Sequence, residues 1–250
     1  MRDGVPFAAL PAIMGHRGAL ALAPENTLAS LRAAVEAGAS WVEFDVMLTG
    51  DDLPVLFHDD CLKRTTGLDA DMAETPYVRL QDLEAGAWFG PAFAGEAIPT
   101  LEAALLLLAE LGAHPNVELK PTRGRDVETA VATLRVLEKT WPADRALPFV
   151  SSFSRMSLAA VRALRPDLPC GFIAWEAPDD WRAVLQALRC TSFHVNEAYL
   201  SIGLAEEIKA AGYQLAAYTV NDPARARELR AWSVDSLITD RPDRLVGVGG

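Results

Sequence analysis

From residue 98 onward the sequence repeats one rhythm: a short apolar run, a turn, a longer amphipathic segment, then another apolar run. The runs at 116–120, 147–151, 170–174, 192–196, 214–219 and 236–239 read as buried strands. The segments 125–139, 154–164, 180–188, 201–212 and 222–232 carry helical spacing between them. Ser154 and Ser201 stand where a side chain caps the free amides of a helix, and Asp222 does so with Pro223 at the first helical position. Upstream, runs at 12–15 and 41–48 bracket a helix that Asn26 or Thr27 caps and Gly38 ends, and a helix capped by Thr100 ends at Gly112. The strands centre near residues 13, 43, 117, 149, 172, 194, 216 and 237, and the last helix starts at Pro242. Strict alternation implies a parallel sheet, and eight such units predict an α/β fold of the (β/α)8 TIM barrel type. An open doubly wound sheet is the competing arrangement. It loses its usual fingerprint here, because Gly15-His16-Arg17-Gly18 lacks a third glycine.

The rhythm breaks once. An extended run at 53–57 follows the Gly50-Asp51-Asp52 turn, and residues from about 60 to 97 hold turn chemistry and scattered aromatics but no long periodic element. They are expected to form a small insertion after the second strand of a single domain spanning 1–250. Half of the residues are hydrophobic, enough for a sizeable core. The net charge of −11 argues against sequence-independent nucleic-acid binding and is read as solubility. Three cysteines, an odd number without CxxC spacing, point to a reducing compartment. The N-terminal stretch has no apolar run of signal-peptide type, and 103–111, the most apolar helical segment, is too short to cross a bilayer. A soluble cytoplasmic protein with no stable membrane insertion is expected, with monomer and homodimer both open.

Chemically capable residues gather where the strands of such a barrel end, the face on which barrel enzymes build their sites. His16 and Arg17 follow the first strand, Glu43 and Asp45 lie on the second, His58 follows the extra run, and Glu118 and Lys120 lie on the third. Residues i and i+2 share a strand face, so Glu43 points with Asp45 and Glu118 with Lys120. Paired buried carboxylates repel unless a cation lies between them, and hard oxygen donors from Glu43, Asp45 and Glu118 suit Mg²⁺ or Ca²⁺ rather than zinc. A solvated edge-strand face is the bland reading of Glu43 and Asp45; Val42, Phe44 and Val46 beside them argue for a buried strand. His16 and His58 are candidates for general acid and base, although a lone histidine is more often structural. Arg17 offers a planar fork and Lys120 a point charge to a phosphoryl group; alone, Arg17 reads as a surface ion pair. His114, just before Pro115, reads as a loop residue, and His194 as a satisfied core histidine; neither is placed in the site. Phe153, Trp175 and Tyr218 are candidates for a substrate-contacting wall, with simple core packing at least as good a reading for Phe153 and Trp175. The combination points to metal-assisted phosphodiester cleavage.

The segments that carry these residues resemble those of the glycerophosphodiester phosphodiesterases. They are GHRG (15–18), APENT (23–27), VEFDV (42–46), PVLFHD (54–59), LKRTTG (62–67), IPTLEAAL (98–105), VELKP (117–121), SSFS (151–154), YTVND (218–222) and VDSLITDRPD (234–243). Each is weak singly; in this order, along nearly the whole chain, they are specific. The resemblance implies a (β/α)8 barrel with a small insertion between strand two and its helix, and hydrolysis of a small-molecule glycerophosphodiester to glycerol 3-phosphate and an alcohol. It implies His16 and His58 as the acid/base pair, Arg17 as a phosphate ligand, Glu43, Asp45 and Glu118 as ligands of a divalent cation, and Lys120 as a phosphate or metal-shell cation. Two departures stand out: Ala19-Leu20-Ala21-Leu22 replaces a more polar turn, and Tyr218 stands where a tryptophan is common. Related barrels leave two enzymatic alternatives, lysophospholipase D-like and sphingomyelinase D-like cleavage. A barrel that only binds a phosphodiester is the non-enzymatic one.

Overall fold

A computed structural model describes residues 9–248; residues 1–8, on which the signal-peptide expectation partly rests, and 249–250 lie outside them. In chain order the strands are β1 (Ile13–Gly15), β2 (Trp41–Leu48), β3 (Pro54–Leu56), β4 (His114–Leu119), β5 (Phe149–Ser152), β6 (Cys170–Ala174), β7 (Ser192–Asn196), β8 (Gln214–Tyr218) and β9 (Ser236–Thr239). All but β3 are parallel, and β1 pairs with both β2 and β9, so eight strands close into a (β/α)8 TIM barrel. The helices are α1 (Leu28–Glu36), α2 (Lys63–Thr66), α3 (Tyr77–Leu80), α4 (Leu101–Glu110), α5 (Asp126–Thr140), α6 (Arg155–Leu164), α7 (Trp181–Ala187), α8 (Ile202–Ala210), α9 (Pro223–Ala231) and α10 (Pro242–Leu245). Among the described residues no helix is long and apolar enough to cross a membrane.

Both faces of each strand are buried, which is why the strands read as apolar runs. Val42, Phe44 and Val46 of β2 join Val117, Leu119, Phe193 and Val195 in the large cluster shared with the helices. Met14, Trp41, Phe149, Ala216 and Ile238 form a separate cluster inside the ring. Each such side chain contributes roughly 1.5–3 kcal/mol when fully buried, so this two-sided packing dominates the stability of the barrel. Gly171 makes room within it. A Cβ there would lie 2.6 Å from Nε2 of His194, whose ring stacks on Phe149 with centroids 5.8 Å apart.

The expectations for the third barrel strand need correction, and the open choice of cap for α1 is resolved. The third barrel strand starts at His114 rather than 116, and His114 is a buried strand residue with its ring 4.1 Å from that of Trp41, not a loop residue. The strand ends at Leu119, yet the Lys120 amide still bonds the Val46 carbonyl and keeps the chain in register. Thr27, not Asn26, caps α1 by accepting from the Ser30 amide, because Asn26 is diverted to Asp45. The segment between β3 and α4 holds only short helices, as its lack of periodicity predicts. It closes over its own cluster of Phe57, Leu62, Met72, Leu80 and Ile98 on Met47 and Val55.

Candidate active site

The turn after β1 is fixed by its two glycines. Gly18 has φ +87°, and a Cβ there would collide with Ser30; a Cβ on Gly15 would lie 2.3 Å from the Gly18 carbonyl oxygen. Between them Arg17 is left-handed (φ 49°), a conformation a non-glycine residue keeps only when its surroundings impose it. Here they do. The Arg17 amide donates to Glu43 Oε2 (2.8 Å), and its carbonyl accepts from the Asn26 amide (3.0 Å) and the Ser30 hydroxyl (2.9 Å). His16 and Arg17 are thereby locked against β2 and the start of α1.

Register brings the acidic residues together. Asp45 and Glu118 are direct partners across β2 and β4, and Glu43 lies two residues below Asp45. One oxygen from each of Glu43, Asp45 and Glu118 falls within 4.8 Å of the others. Glu43 and Asp45 are 3% and 2% exposed, so solvation does not relieve their repulsion. Burial, then the charges of Asp45 and Glu118, push Glu43 well above the usual carboxylate range. Burial and the Asp45 charge raise Glu118 to about 8. Asp45 goes the other way, because Arg17, Lys120, His58 and the Asn26 amide together outweigh its burial. The Asn26 side chain grips Asp45 twice, donating to Oδ2 (2.9 Å) and accepting from the Asp45 amide (3.1 Å). Lys120 Nζ lies 3.9 Å from both Asp45 and Glu118.

The residues present fit a hard divalent cation. Glu43 Oε1 is buried without a hydrogen-bond partner among the described residues, a costly arrangement that a bound cation would relieve. The donor set is all oxygen, which suits a hard divalent cation better than a thiophilic metal.

Two histidines flank the acidic group, each held by a carboxylate. His16 Nδ1 lies 2.6 Å from Asp240 Oδ1, and His58 Nδ1 lies 2.6 Å from Asp59 Oδ1. This pairing commits Nδ1 and leaves Nε2 of each ring for a ligand in the cavity that both residues line. Burial, reinforced by the Arg17 and Lys120 charges, lowers the His58 pKa. Arg64 on α2 forks onto both Asp59 (2.6 Å) and Glu25 (2.7 and 2.8 Å), and Glu25 in turn holds Arg17 Nη1 (2.8 Å). Asn221 completes the shell by donating to Asp240 (2.6 Å).

The cavity measures about 870 Å³, the size range of small-molecule sites, and opens at the C-terminal ends of the strands. All ten residues expected in the site or its wall, His16, Arg17, Glu43, Asp45, His58, Glu118, Lys120, Phe153, Trp175 and Tyr218, line it. Phe153 and Trp175 are 43% and 59% exposed at its mouth, so the core-packing reading of both is wrong. His194 is fully buried on the cavity floor with Nε2 2.9 Å from the Ser192 hydroxyl, and burial lowers its pKa to about 3. Sequence reasoning did not assign the supporting shell of Glu25, Asn26, Asp59, Arg64, Asn221 and Asp240. Every one of these residues lies inside a segment that carries the family resemblance.

Fold and site together define a (β/α)8-barrel enzyme. The model of the glycerophosphoryl diester phosphodiesterase family matches residues 16–244, and the chain belongs to that family. A solved phosphodiesterase of Oleispira antarctica, in complex with the product sn-glycerol-3-phosphate, is 40% identical and covers 96% of each chain with a TM-score of 0.92. The Bacillus subtilis protein YhdW is 34% identical over 95% of this chain and 97% of its own length. A glycerophosphodiester phosphodiesterase of Caldanaerobacter subterraneus is 30% identical over 94% and 96%.

Proposed function

We propose that this chain hydrolyses small glycerophosphodiesters to sn-glycerol 3-phosphate and an alcohol, with a divalent cation held by Glu43, Asp45 and Glu118. The observation that carries the reading is the pairing of two carboxylate-held histidines with a buried acidic group that has an unsatisfied oxygen. The product complex of the Oleispira relative supports the same substrate class.

The chain's own groups can be given roles. Arg17 and Lys120 face the phosphate and offset the charge that develops on its oxygens; Glu25 and Asp45 hold the Arg17 guanidinium in place. One histidine, through Nε2, takes the proton of the attacking oxygen as the new P–O bond forms; that oxygen is water, or the neighbouring glycerol hydroxyl, in which case water opens the resulting cyclic phosphate in a second step with the histidines' roles reversed. The other gives its proton to the alcohol oxygen as the old P–O bond breaks. Asp59 and Asp240 keep each ring oriented and favour its protonated form at the moment it is charged. Glu43, Asp45 and Glu118 would hold a divalent cation, which when bound would supply Lewis-acid polarisation of the phosphoryl group. Phe153 and Tyr218 contact the substrate at the cavity mouth, Tyr218 with its hydroxyl tied to the Ala174 carbonyl (3.0 Å) and its ring edge-on to Phe153.

The test is the rate of sn-glycerol 3-phosphate release from glycerophosphocholine by wild type, His16→Ala and His58→Ala. Each variant is expected to lose roughly 10²–10⁴-fold in kcat while keeping its circular-dichroism spectrum. Near-normal turnover in both would remove the histidines from the chemistry.

A further inference from the structure

The cavity is built in two chemically distinct halves, and the outer half, where Phe153 and Tyr218 contact the substrate, holds none of the acid/base, phosphate or cation ligands. Its basic lining residues, Arg17 and Lys120, both sit with the acidic group at the inner end. The remaining charged lining residues are the carboxylates Asp60, Asp126 and Glu197, interleaved with the rings of Phe153, Trp175 and Tyr218. Trp175 is 59% exposed and is braced by Tyr199, with ring centroids 6.0 Å apart. Phe153 meets Tyr218 edge-on at 6.1 Å, and the Tyr218 hydroxyl is already bonded to the Ala174 carbonyl. Glu197 is shared with Arg225 and Asp126 accepts from the Ser154 hydroxyl; Asp60 has no ion-pair partner among the described residues.

Exposed aromatic rings beside carboxylates, of which Asp60 and Asp126 carry no arginine or lysine partner among the described residues, form a site for an organic cation. Ring quadrupoles attract it through their faces, and the acids supply longer-range attraction. We propose that Trp175, with Phe153 and the rim carboxylates, forms a head-group subsite that selects diesters whose alcohol carries a quaternary ammonium over neutral alcohols of the same shape. The proposal rests on the phosphodiesterase reading and names the substrate class of that site.

The test compares glycerophosphocholine with its carbon isostere, the 3,3-dimethylbutyl ester of glycerol phosphate, which keeps the shape and removes the charge. Wild type is expected to favour the choline ester in kcat/KM by about tenfold, within the range that cation–π contacts supply. Trp175→Ala should bring that ratio towards one, and Trp175→Phe, which keeps a ring, should retain most of it. Trp175 is half out of the protein, so its truncation leaves the core intact. Equal turnover of the two esters by wild type, or a Trp175→Ala variant that slows both equally, would overturn the subsite. A calorimetric titration with choline and with 3,3-dimethylbutanol reads the same discrimination without turnover. Binding of choline that Trp175→Ala abolishes supports the subsite even where no glycerol 3-phosphate is released, an outcome that defeats the phosphodiesterase reading instead. Absence of choline binding together with equal esters defeats the subsite.

Discussion

At the residue level, the site is a set of ionisable groups whose neighbours decide their state. Asp240 shows this. Burial would raise its pKa, but the His16 hydrogen bond and charge, with donation from Asn221, hold it below the ordinary value, so it stays ionised and can orient the imidazole. Asp240→Asn preserves the shape but offers His16 a neutral and ambiguous partner. It is expected to lower kcat by roughly 10- to 100-fold, the usual cost of losing a carboxylate that orients a functional imidazole. KM should change little, a split that steady-state kinetics would show. The histidines, the acidic residues and Arg17 are legible in the sequence because they sit beside strand ends in glycine-flanked or alternating patterns. The His16–Asp240 pair is not, because its members are 224 positions apart and no local period links them. Nor is the role of Asn26, since an asparagine one position before a threonine at a helix start reads first as a cap.

At the level of elements, α2 matters out of proportion to its four residues. Its Arg64 joins Asp59, the partner of His58, to Glu25, the partner of Arg17, so one guanidinium sets the positions of two site residues that follow different strands. Arg64 is 45% exposed, and partly exposed ion pairs contribute about 1 kcal/mol or less to stability. Arg64→Ala should therefore shift the melting temperature only slightly while lowering kcat by tenfold or more. Arg64→Lys should recover little, because an ammonium cannot fork onto two carboxylates in fixed geometry. A large loss of stability with kcat unchanged would make Arg64 purely structural. The segment that carries α2 is also where the sequence is least legible. Its elements are three or four residues long, too short for a period, and its small cluster is assembled from residues scattered between 47 and 98. The barrel strands are the opposite case: burial on both faces turns them into continuous apolar runs, and the helices between them advertise their caps at Thr100, Ser154, Ser201 and Asp222.

For the whole molecule, the buried acidic group links cation binding, stability and pH. Glu118 rises from an ordinary 4.5 to about 8, and Glu43 is raised with it. A carboxyl whose folded pKa is raised stabilises the fold fully below its unfolded pKa, and that contribution fades as pH climbs through the folded value. Between pH 4.5 and 8 the metal-free protein thus loses stability from these groups, and a bound cation restores it. Calcium or magnesium should raise the melting temperature more at pH 8.5 than at pH 6, with affinity falling about tenfold per pH unit for each proton displaced. Calorimetry in buffers of different ionisation enthalpy would count those protons. The most direct test of a cation-dependent phosphodiesterase site is the rate of sn-glycerol 3-phosphate release from glycerophosphocholine after EDTA treatment and single-cation add-back. Loss of turnover with EDTA and recovery with Mg²⁺ or Ca²⁺ is the predicted result; full turnover in EDTA would contradict it.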